Sequence, residues 1–314
     1  MKHGLAHQPT VLILGGSGYI GRHLFARLGP ERAIATYRRT PIDGGVYFDS
    51  LSMRLSDLAG LPGSVSHAVV LLGDTKPESC AADIQQSHAV NVESIKSVLG
   101  QLSAWGVKPV FTSTESVFDG TQGGYAESDT PYPILTYGRQ KVEIEEYLQE
   151  RFEEFLIARL ALTFGSLPGD GTIFTGWLDS IEAEETVRCA YDQVCSPIHI
   201  DDLVEALVRL IELDCNGIFH VAGPKAHSKL QLFQILLAEL GDDLSVEPKV
   251  VPCSIHDFKV LEKRPLNVSM RPDKLVDATG VNISDVHAAC REMVRSRFTP
   301  SDRDGFSKAV AREN

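Results

Sequence analysis

The sequence has no long apolar run, no charged segment followed by an apolar one at its N-terminus, and no closely paired cysteines. A segment that spans a bilayer needs a long apolar run, and a secretory leader needs a charged segment followed by an apolar one. We therefore expect neither membrane insertion nor secretion. The six cysteines include no CxxC pair, which favours reduced thiols over disulfide bonds or zinc ligands. We therefore expect a cytoplasmic protein without a metal site.

Basic residues are scarce relative to acidic ones: 30 lysines and arginines stand against 42 aspartates and glutamates, giving a formal net charge of -12. This charge disfavours nucleic acid and acidic membrane surfaces as partners. A phosphate-bearing ligand would need local basic residues to overcome it. With 314 residues, 43% of them hydrophobic, the chain can bury one large core and a smaller lobe.

A glycine-rich turn follows the first apolar run of the chain. Residues 10–14 have the length of a buried strand, residues 15–21 read GGSGYIG, and apolar residues then recur at helical spacing. Strand, glycine turn and helix form the context of a dinucleotide-binding site, in which glycines let the backbone approach a pyrophosphate at a helix N-terminus. The spacing is G-x-x-G-x-x-G, and three glycines after a strand also occur in ordinary tight turns. The candidate cofactor-binding residues here are Gly15, Ser17, Gly18, Tyr19, Ile20 and Gly21.

Only one of the eight tyrosines, Tyr137, has a lysine four residues later, Lys141. On a helix this spacing places both side chains on one face. A phenol beside an ammonium group is a proton donor whose pKa can be tuned towards neutrality. In the alternative interpretation, Lys141 only pairs with Glu145 one helical turn further on.

Hydroxyl side chains cluster at the end of a strand just upstream, at Thr112, Ser113 and Thr114. One of them could hold and polarise a substrate carbonyl oxygen. Strand alternation puts Thr112 and Thr114 on the same face, so spacing alone does not choose between them. Asn91 lies within a segment of helical pattern, where an asparagine could simply face solvent.

Strand-like and helix-like segments alternate along most of the chain, as in a doubly wound parallel sheet. We expect strands at residues 10–14, 33–37, 68–72, 110–113, 155–162 and 218–222. We expect helices at residues 89–102, 201–213 and 230–240, and one that begins near Tyr137. Residues 165–185 read as irregular, and the composition changes from Pro224 onward.

The end of the second strand bears on cofactor choice. An NAD-specific site places an acidic residue there to bind the ribose 2′-hydroxyl. This chain has Tyr37, Arg38 and Arg39 instead, and no carboxylate before Asp43. Two guanidinium groups suit a 2′-phosphate, which favours NADP; the alternative is a solvent-exposed basic turn.

Together these motifs resemble the extended short-chain dehydrogenases/reductases, and most of all the dTDP-4-dehydrorhamnose reductase family. Residues 113–120 (STESVFDG) correspond to its S-T-D-Y-V-F-D-G segment, with Glu115 and Ser116 replacing the Asp-Tyr pair. Residues 196–198 (SPI) lack the usual threonine. Further matching segments lie at residues 125–141, 192–203 and 264–275, so the resemblance covers nearly the whole chain.

The resemblance implies an α/β Rossmann-type doubly wound parallel sheet with a smaller C-terminal substrate-binding lobe. Residues 1–164 would form the NADP-binding domain, to which 187–222 return. Residues 165–186 and 223–314 would form the substrate-binding lobe.

The resemblance also assigns roles to individual residues. Thr114, Tyr137 and Lys141 would be catalytic, with Lys141 also binding the nicotinamide ribose. Asn91 falls at the position of an active-site asparagine. The other cofactor contacts that it implies are Asp49, Ser50, Leu72, Gly73 and Asp74. Apart from the resemblance, a cluster of basic residues between Lys259 and Lys274 could bind the diphosphate of the substrate, with Arg264 and Arg271 as its candidates; the alternative for most of this cluster is solvated surface.

The implied activity is NADPH-dependent reduction of a 4-keto-6-deoxy nucleotide sugar, a small-molecule substrate, by a protein that could form a homodimer. Two alternatives remain open. One is a nucleotide-sugar epimerase or dehydratase of the same superfamily. The other is a non-catalytic regulatory subunit like the beta subunit of methionine adenosyltransferase, which shares the fold and several of the motifs.

Overall fold

A computed structural model describes residues 10–58, 65–167, 169–241 and 247–298 of the chain. Its strands are β1 (Thr10–Leu14), β2 (Ala33–Tyr37), β3 (Val46–Tyr47), β4 (Val65–Val70), β5 (Lys108–Thr114), β6 (Leu156–Leu160), β7 (Thr163–Phe164), β8 (Thr186–Ala190), β9 (Val194–Cys195), β10 (Ile198–His199), β11 (Gly217–Val221), β12 (His227–Ser228) and β13 (Lys249–Cys253). Its α-helices are α1 (Tyr19–Leu28), α2 (Pro77–Ala82), α3 (Ile84–His88), α4 (Ser94–Ala104), α5 (Thr136–Arg151), α6 (Ile173–Glu182), α7 (Ile200–Glu212), α8 (Lys229–Leu240), α9 (Asp273–Thr279) and α10 (Val286–Phe298).

The central element is a seven-stranded sheet in the order β11-β6-β5-β4-β1-β2-β3. Every pairing in it is parallel. From β1 the chain adds β2 and β3 on one side, and it then returns to add β4 on the other. Such a reversal of strand order opens a crevice at the carboxyl ends of the two strands that flank it. Ligands of sheets of this kind bind in that crevice. The sheet confirms the predicted Rossmann-type fold.

Strand alternation sorts apolar side chains into cores on both faces of the sheet. Val11 and Ile13 of β1 belong to the core that includes α1 and α7, whereas Leu12 and Leu14 belong to the core that includes α4 and α5. All four side chains are fully buried. A strand buried on both faces reads as a continuous apolar run, which explains why the sequence identified it.

A separate core forms where β8, α6, α8 and α10 pack together. Its residues include Phe174, Leu178, Leu236 and Met293. The prediction that residues 165–185 are irregular was wrong, because α6 occupies Ile173–Glu182. The sequence did carry a signal for it, since Phe174, Leu178 and Ile181 recur at helical spacing.

Other predicted elements lie close to their observed positions, with shifts at their ends. The predicted helix over 89–102 begins as a π-helical turn, Ala89–Glu93, and continues as α4. In the described residues no helix is long and apolar enough to cross a membrane, and no group of acidic, histidine or cysteine side chains could hold a metal ion. All six cysteines are unpaired. The outer ends of the predicted domains, residues 1–9 and 299–314, lie outside the described residues.

Candidate active site

A cleft of about 600 Å³ opens where the strand order reverses between β1 and β4. Its walls come from the segments that follow β1, β2, β3 and β4. Among the predicted cofactor-binding residues, those that line it are Gly15, Ser17, Gly18, Arg38, Arg39, Ser50, Leu72, Gly73 and Asp74. The remainder, Tyr19, Ile20, Gly21, Asp49, Tyr137 and Lys141, do not line this cleft.

The glycine turn at the base of the cleft needs glycine for two reasons. Gly15 has a φ of +92°, in the left-handed region, and its N–H donates to Thr36 Oγ1 at 3.0 Å. A Cβ on Gly21 would collide with the backbone of Gly15 and Gly16, so α1 could not pack this close to the turn. The turn therefore brings backbone N–H groups and the N-terminus of α1 to the cleft, as binding of a pyrophosphate requires.

Arg38 and Arg39 are both exposed and line the cleft beyond the end of β2. Nη1 of Arg38 lies 3.7 Å from Oδ1 of Asp49. Asp49 itself accepts a hydrogen bond from the N–H of Leu51 at 3.1 Å. Two cationic side chains thus stand together at this edge of the cleft.

Asn91 ties the loop after β4 to the helix that carries Tyr137. Its side chain is 1% exposed; it accepts from Asp74 N–H at 2.7 Å, and it donates to the Asp74 carbonyl at 2.9 Å and to Gln140 Oε1 at 2.8 Å. Gly73 has a φ of +133°, and a Cβ there would lie 2.7 Å from Asn91 Oδ1. The interpretation of Asn91 as a solvent-facing residue was therefore wrong.

Thr114, Tyr137 and Lys141 converge at the carboxyl end of β5. Thr114 is the last residue of this strand, and Tyr137 and Lys141 occupy successive turns at the start of α5. Thr114 and Tyr137 share a hydrogen bond, and each side chain is 8% exposed. Thr114 Oγ1 also accepts from Ser116 N–H at 3.2 Å.

The hydroxyl groups of Thr112 and Ser113 are committed elsewhere. Thr112 donates to the carbonyl of Val70 at 2.9 Å, and Ser113 donates to the Glu145 carboxylate. The carbonyl of Thr112 accepts from Lys141 Nζ at 2.8 Å. Of the three candidate hydroxyls, only that of Thr114 is paired with the tyrosine, which favours Thr114 over Thr112 and Ser113.

Burial controls the protonation of the tyrosine and the lysine. It raises the pKa of Tyr137, and the hydrogen bond from Thr114 opposes this shift. It lowers the pKa of Lys141 to about 8, against the opposing charge of Glu145. Lys141 Nζ lies 5.8 Å from the centroid of the Tyr137 ring. At neutral pH the phenol holds a proton that it can donate, and the lysine carries a positive charge.

The two predicted substrate-binding arginines lie apart. Arg264 is largely buried, and its Nη2 donates to Oε1 of Glu78 on α2 at 2.6 Å. Arg271 is exposed in a shallow depression with Glu127 and Lys274, away from the residues that line the cleft. The structure therefore does not bring the two arginines together.

Several residues of the site have no motif that identifies them. The cleft is also lined by Thr36, Phe48, Lys76, Ser79, Gln86 and Val90. The sequence did carry a signal for Lys76 as a residue of the cleft. It follows Asp74 in the loop after a central strand, and the loops at this end of such sheets bind ligands. Glu262, far along the chain, accepts hydrogen bonds from Thr136 N–H (2.9 Å) and Oγ1 (2.8 Å) and so stabilises the N-terminus of α5.

The chain is similar to known proteins over most of their length. The chain is 24% identical over 301 residues to the dTDP-4-dehydrorhamnose reductase of Aggregatibacter actinomycetemcomitans, covering 90% of this chain and 97% of that protein. It is 23% identical over 241 residues to the bovine methionine adenosyltransferase 2 subunit beta, covering 71% and 69%. Among solved structures, the dTDP-4-dehydrorhamnose reductase of Bacillus anthracis in complex with NADP superposes with a TM-score of 0.76 at 19% identity, covering 92% and 99%.

The parallel sheet and the Thr114, Tyr137 and Lys141 set define the protein as an oxidoreductase of the extended short-chain dehydrogenase/reductase class. More narrowly, the chain belongs to the RmlD substrate-binding domain family, whose model matches residues 9–298.

Proposed function

We propose that the protein uses NADPH to reduce the keto group of a 4-keto-6-deoxy nucleotide sugar. The observation that carries the proposal is the hydrogen-bonded pair of Thr114 and Tyr137, one helical turn from Lys141, beside a cleft that suits a dinucleotide. The similarity to dTDP-4-dehydrorhamnose reductases over most of the chain supports the substrate class.

Each of the three residues has a distinct task in this reaction. The nicotinamide cofactor supplies the hydride that the carbonyl carbon receives. Thr114 holds the carbonyl oxygen through its hydroxyl and polarises it. Tyr137 donates its proton to that oxygen as negative charge develops on it. Lys141 binds the nicotinamide ribose, and its positive charge stabilises the phenolate that remains.

We propose NADPH as the preferred form of the nicotinamide cofactor, because Arg38 and Arg39 line the cleft and their guanidinium groups could pair with a 2′-phosphate. Replacing both by alanine should remove most of the preference for NADPH over NADH, a loss of ~1–3 kcal/mol in charge-assisted hydrogen bonds. Fluorescence titration of both cofactors would measure it. Arg151→Ala, an exposed arginine at the end of α5, serves as the control. Equal affinities for the two cofactors in the unaltered protein would contradict the proposal.

We propose further that residues 1–164 and 187–222 bind the cofactor, and that 165–186 and 223–314 bind the nucleotide sugar. The separate core around α6, α8 and α10 supports this division. Arg264 and Arg271 are proposed contacts for the diphosphate; for Arg264 this requires its bond with Glu78 to open. A homodimer in the cytoplasm is the proposed state of the protein.

The reaction can be tested directly with purified protein. Given NADPH and a panel of dTDP-, UDP-, GDP- and CDP-linked 4-keto-6-deoxyhexoses, the protein should oxidise NADPH with the dTDP member and form the 4-hydroxy sugar nucleotide. NADPH absorbance follows the reaction. Activity with one other nucleotide alone would keep the mechanism and correct the substrate.

Absence of activity across the panel, with cofactor binding intact, would favour a regulatory subunit. The similarity to methionine adenosyltransferase 2 subunit beta motivates this alternative. Co-purification with a synthetase subunit would then distinguish it from an epimerase or dehydratase.

A further inference from the structure

The helix α5, which carries Tyr137 and Lys141, has an apolar residue at its N-cap. Leu135 occupies this position, and its side chain offers no acceptor to the free N–H groups of the first turn. Such groups cost free energy when they are buried without a partner, and Thr136, the first residue of α5, is only 4% exposed. The N-terminus of α5 therefore depends on an acceptor from elsewhere in the chain.

Glu262 supplies this acceptor from the strap, the irregular segment of residues 258–266. The N–H of Thr136 donates to its carboxylate at 2.9 Å, and the Thr136 hydroxyl donates to it at 2.8 Å. Nη2 of Arg139, one turn into the helix, donates to the same carboxylate at 2.8 Å. A negative charge is favourable at this end of a helix. Glu262 thus acts in place of an N-cap, although it lies 126 positions away from Thr136 in the sequence.

The strap is tied to α2 on both sides of Glu262. The N–H of Leu261 donates to Oε2 of Glu78 at 3.1 Å, and Nη2 of Arg264 donates to Oε1 of the same carboxylate at 2.6 Å. The helix α2 directly follows the loop whose residues line the cleft after β4. These bonds hold the backbone of the strap, and so they fix the place from which Glu262 reaches the N-terminus of α5.

The next turn of α5 is held by other partners. Nζ of Lys141 donates to the carbonyl of Thr112 at 2.8 Å, and Oε1 of Gln140 accepts from Asn91 at 2.8 Å. Neither partner belongs to the strap. Loss of the Glu262 carboxylate should therefore loosen the first turn, which carries Tyr137, and leave Lys141 in place.

The packing of Gly138 shows in which direction a loosened first turn would move. A Cβ on Gly138 would collide with the carbonyl oxygen of Ser116, so this turn already touches the segment that follows β5. A loosened turn would move away from that segment, which lengthens the hydrogen bond between Thr114 and Tyr137. A misplacement of about 1 Å in a catalytic site can lower the rate on the order of 100-fold.

We propose that Glu262 is a positioning residue, which holds the first turn of α5 so that the phenol of Tyr137 stays within reach of the reacting oxygen beside Thr114. Glu262 acts through Tyr137 and not through contact with the substrate. This inference rests on the proposed function and deepens it, because proton transfer then depends on a residue of the proposed substrate-binding lobe.

The test begins with turnover of the active panel member. Glu262→Ala should lower kcat by roughly 10- to 100-fold, with little change in NADPH affinity because Lys141 keeps its partner. Glu262→Gln keeps one acceptor oxygen and should recover part of the loss. Ser228→Ala removes the N-cap side chain of α8 and is the matched control for a general loss of stability. This control should leave kcat unchanged.

A double variant separates positioning of Tyr137 from any other role of Glu262. In the Tyr137→Phe background, Glu262→Ala should cause no further loss of turnover, since no phenol is left to position. An equal loss in both backgrounds would overturn the inference and leave the proposed function standing. An unchanged kcat in Glu262→Ala alone would do the same.

If no panel member is turned over, the proposed function fails, and hydrogen exchange along α5 tests the positioning role by itself. Glu262→Ala should speed exchange at the amides of Thr136 and Arg139, since the first loses its acceptor and the second bonds to Leu135 at the frayed end. Exchange around Ile144 should stay as it is. Exchange that changes along the whole of α5, or nowhere in it, would reject the role.

Discussion

Replacing Tyr137 by phenylalanine is expected to lower turnover by roughly 10²–10⁴-fold, the usual contribution of a positioned general acid. The fold and NADPH binding should change little, because only one hydroxyl group is removed. Thr114 loses a hydrogen-bond partner but keeps its bond with the N–H of Ser116. Single-turnover kinetics with the active panel member, together with cofactor titration, would separate loss of chemistry from loss of binding.

The control for this experiment is Tyr147→Phe, on the same helix. Tyr147 is partly buried near Phe152 and Lys96, away from the residues that converge on Thr114. The Tyr147→Phe variant should retain normal turnover and NADPH affinity. Near-normal activity in Tyr137→Phe would show that another group donates the proton and would remove the central assignment of the mechanism.

The features that the sequence predicted correctly are those that depend on short spacing. Tyr137 and Lys141 share a face of α5 because they are one helical turn apart. The glycine turn was recognisable because a strand, a turn and a helix follow one another within residues 10–28. Patterns of this kind are set by local backbone geometry and need no knowledge of distant contacts.

Partnerships between distant residues could not be predicted. The alternative in which Lys141 pairs with Glu145 was reasonable from helical spacing, but Lys141 donates to the carbonyl of Thr112 and Glu145 binds Arg159. Hydrogen bonds from β5 and β6 to α5 decide this outcome, and they form only when the sheet assembles. Arg264, which pairs with Glu78, is a similar case, because the partners are 186 positions apart in the sequence.

The ion pair between Arg159 and Glu145 supports the second prediction of large effect. Both side chains are 1% exposed; Nη2 of Arg159 donates to Oε2 of Glu145 at 2.7 Å and Nε donates to Oε1 at 3.1 Å. Arg159→Met should lower the free energy of unfolding by about 3–5 kcal/mol, because it leaves a buried carboxylate without its cation. Urea denaturation at neutral pH would measure the loss.

The pair joins α5 to β6 beneath the site, so the same substitution should also disturb Tyr137. Among the described residues, Ser113 would remain as a hydrogen-bond donor to the Glu145 carboxylate. His220 would lose its contact with Arg159 Nη1, which lies 3.4 Å from its Nε2. The double variant Arg159→Met with Glu145→Leu removes both charges and should recover most of the lost stability, since apolar replacement of a whole buried pair is often neutral. If Arg159→Met lowers the free energy of unfolding by less than about 1 kcal/mol, the Glu145 carboxylate must take up a proton or find another donor. The position of α5 would then depend on its apolar contacts and on the hydrogen bonds to Glu262.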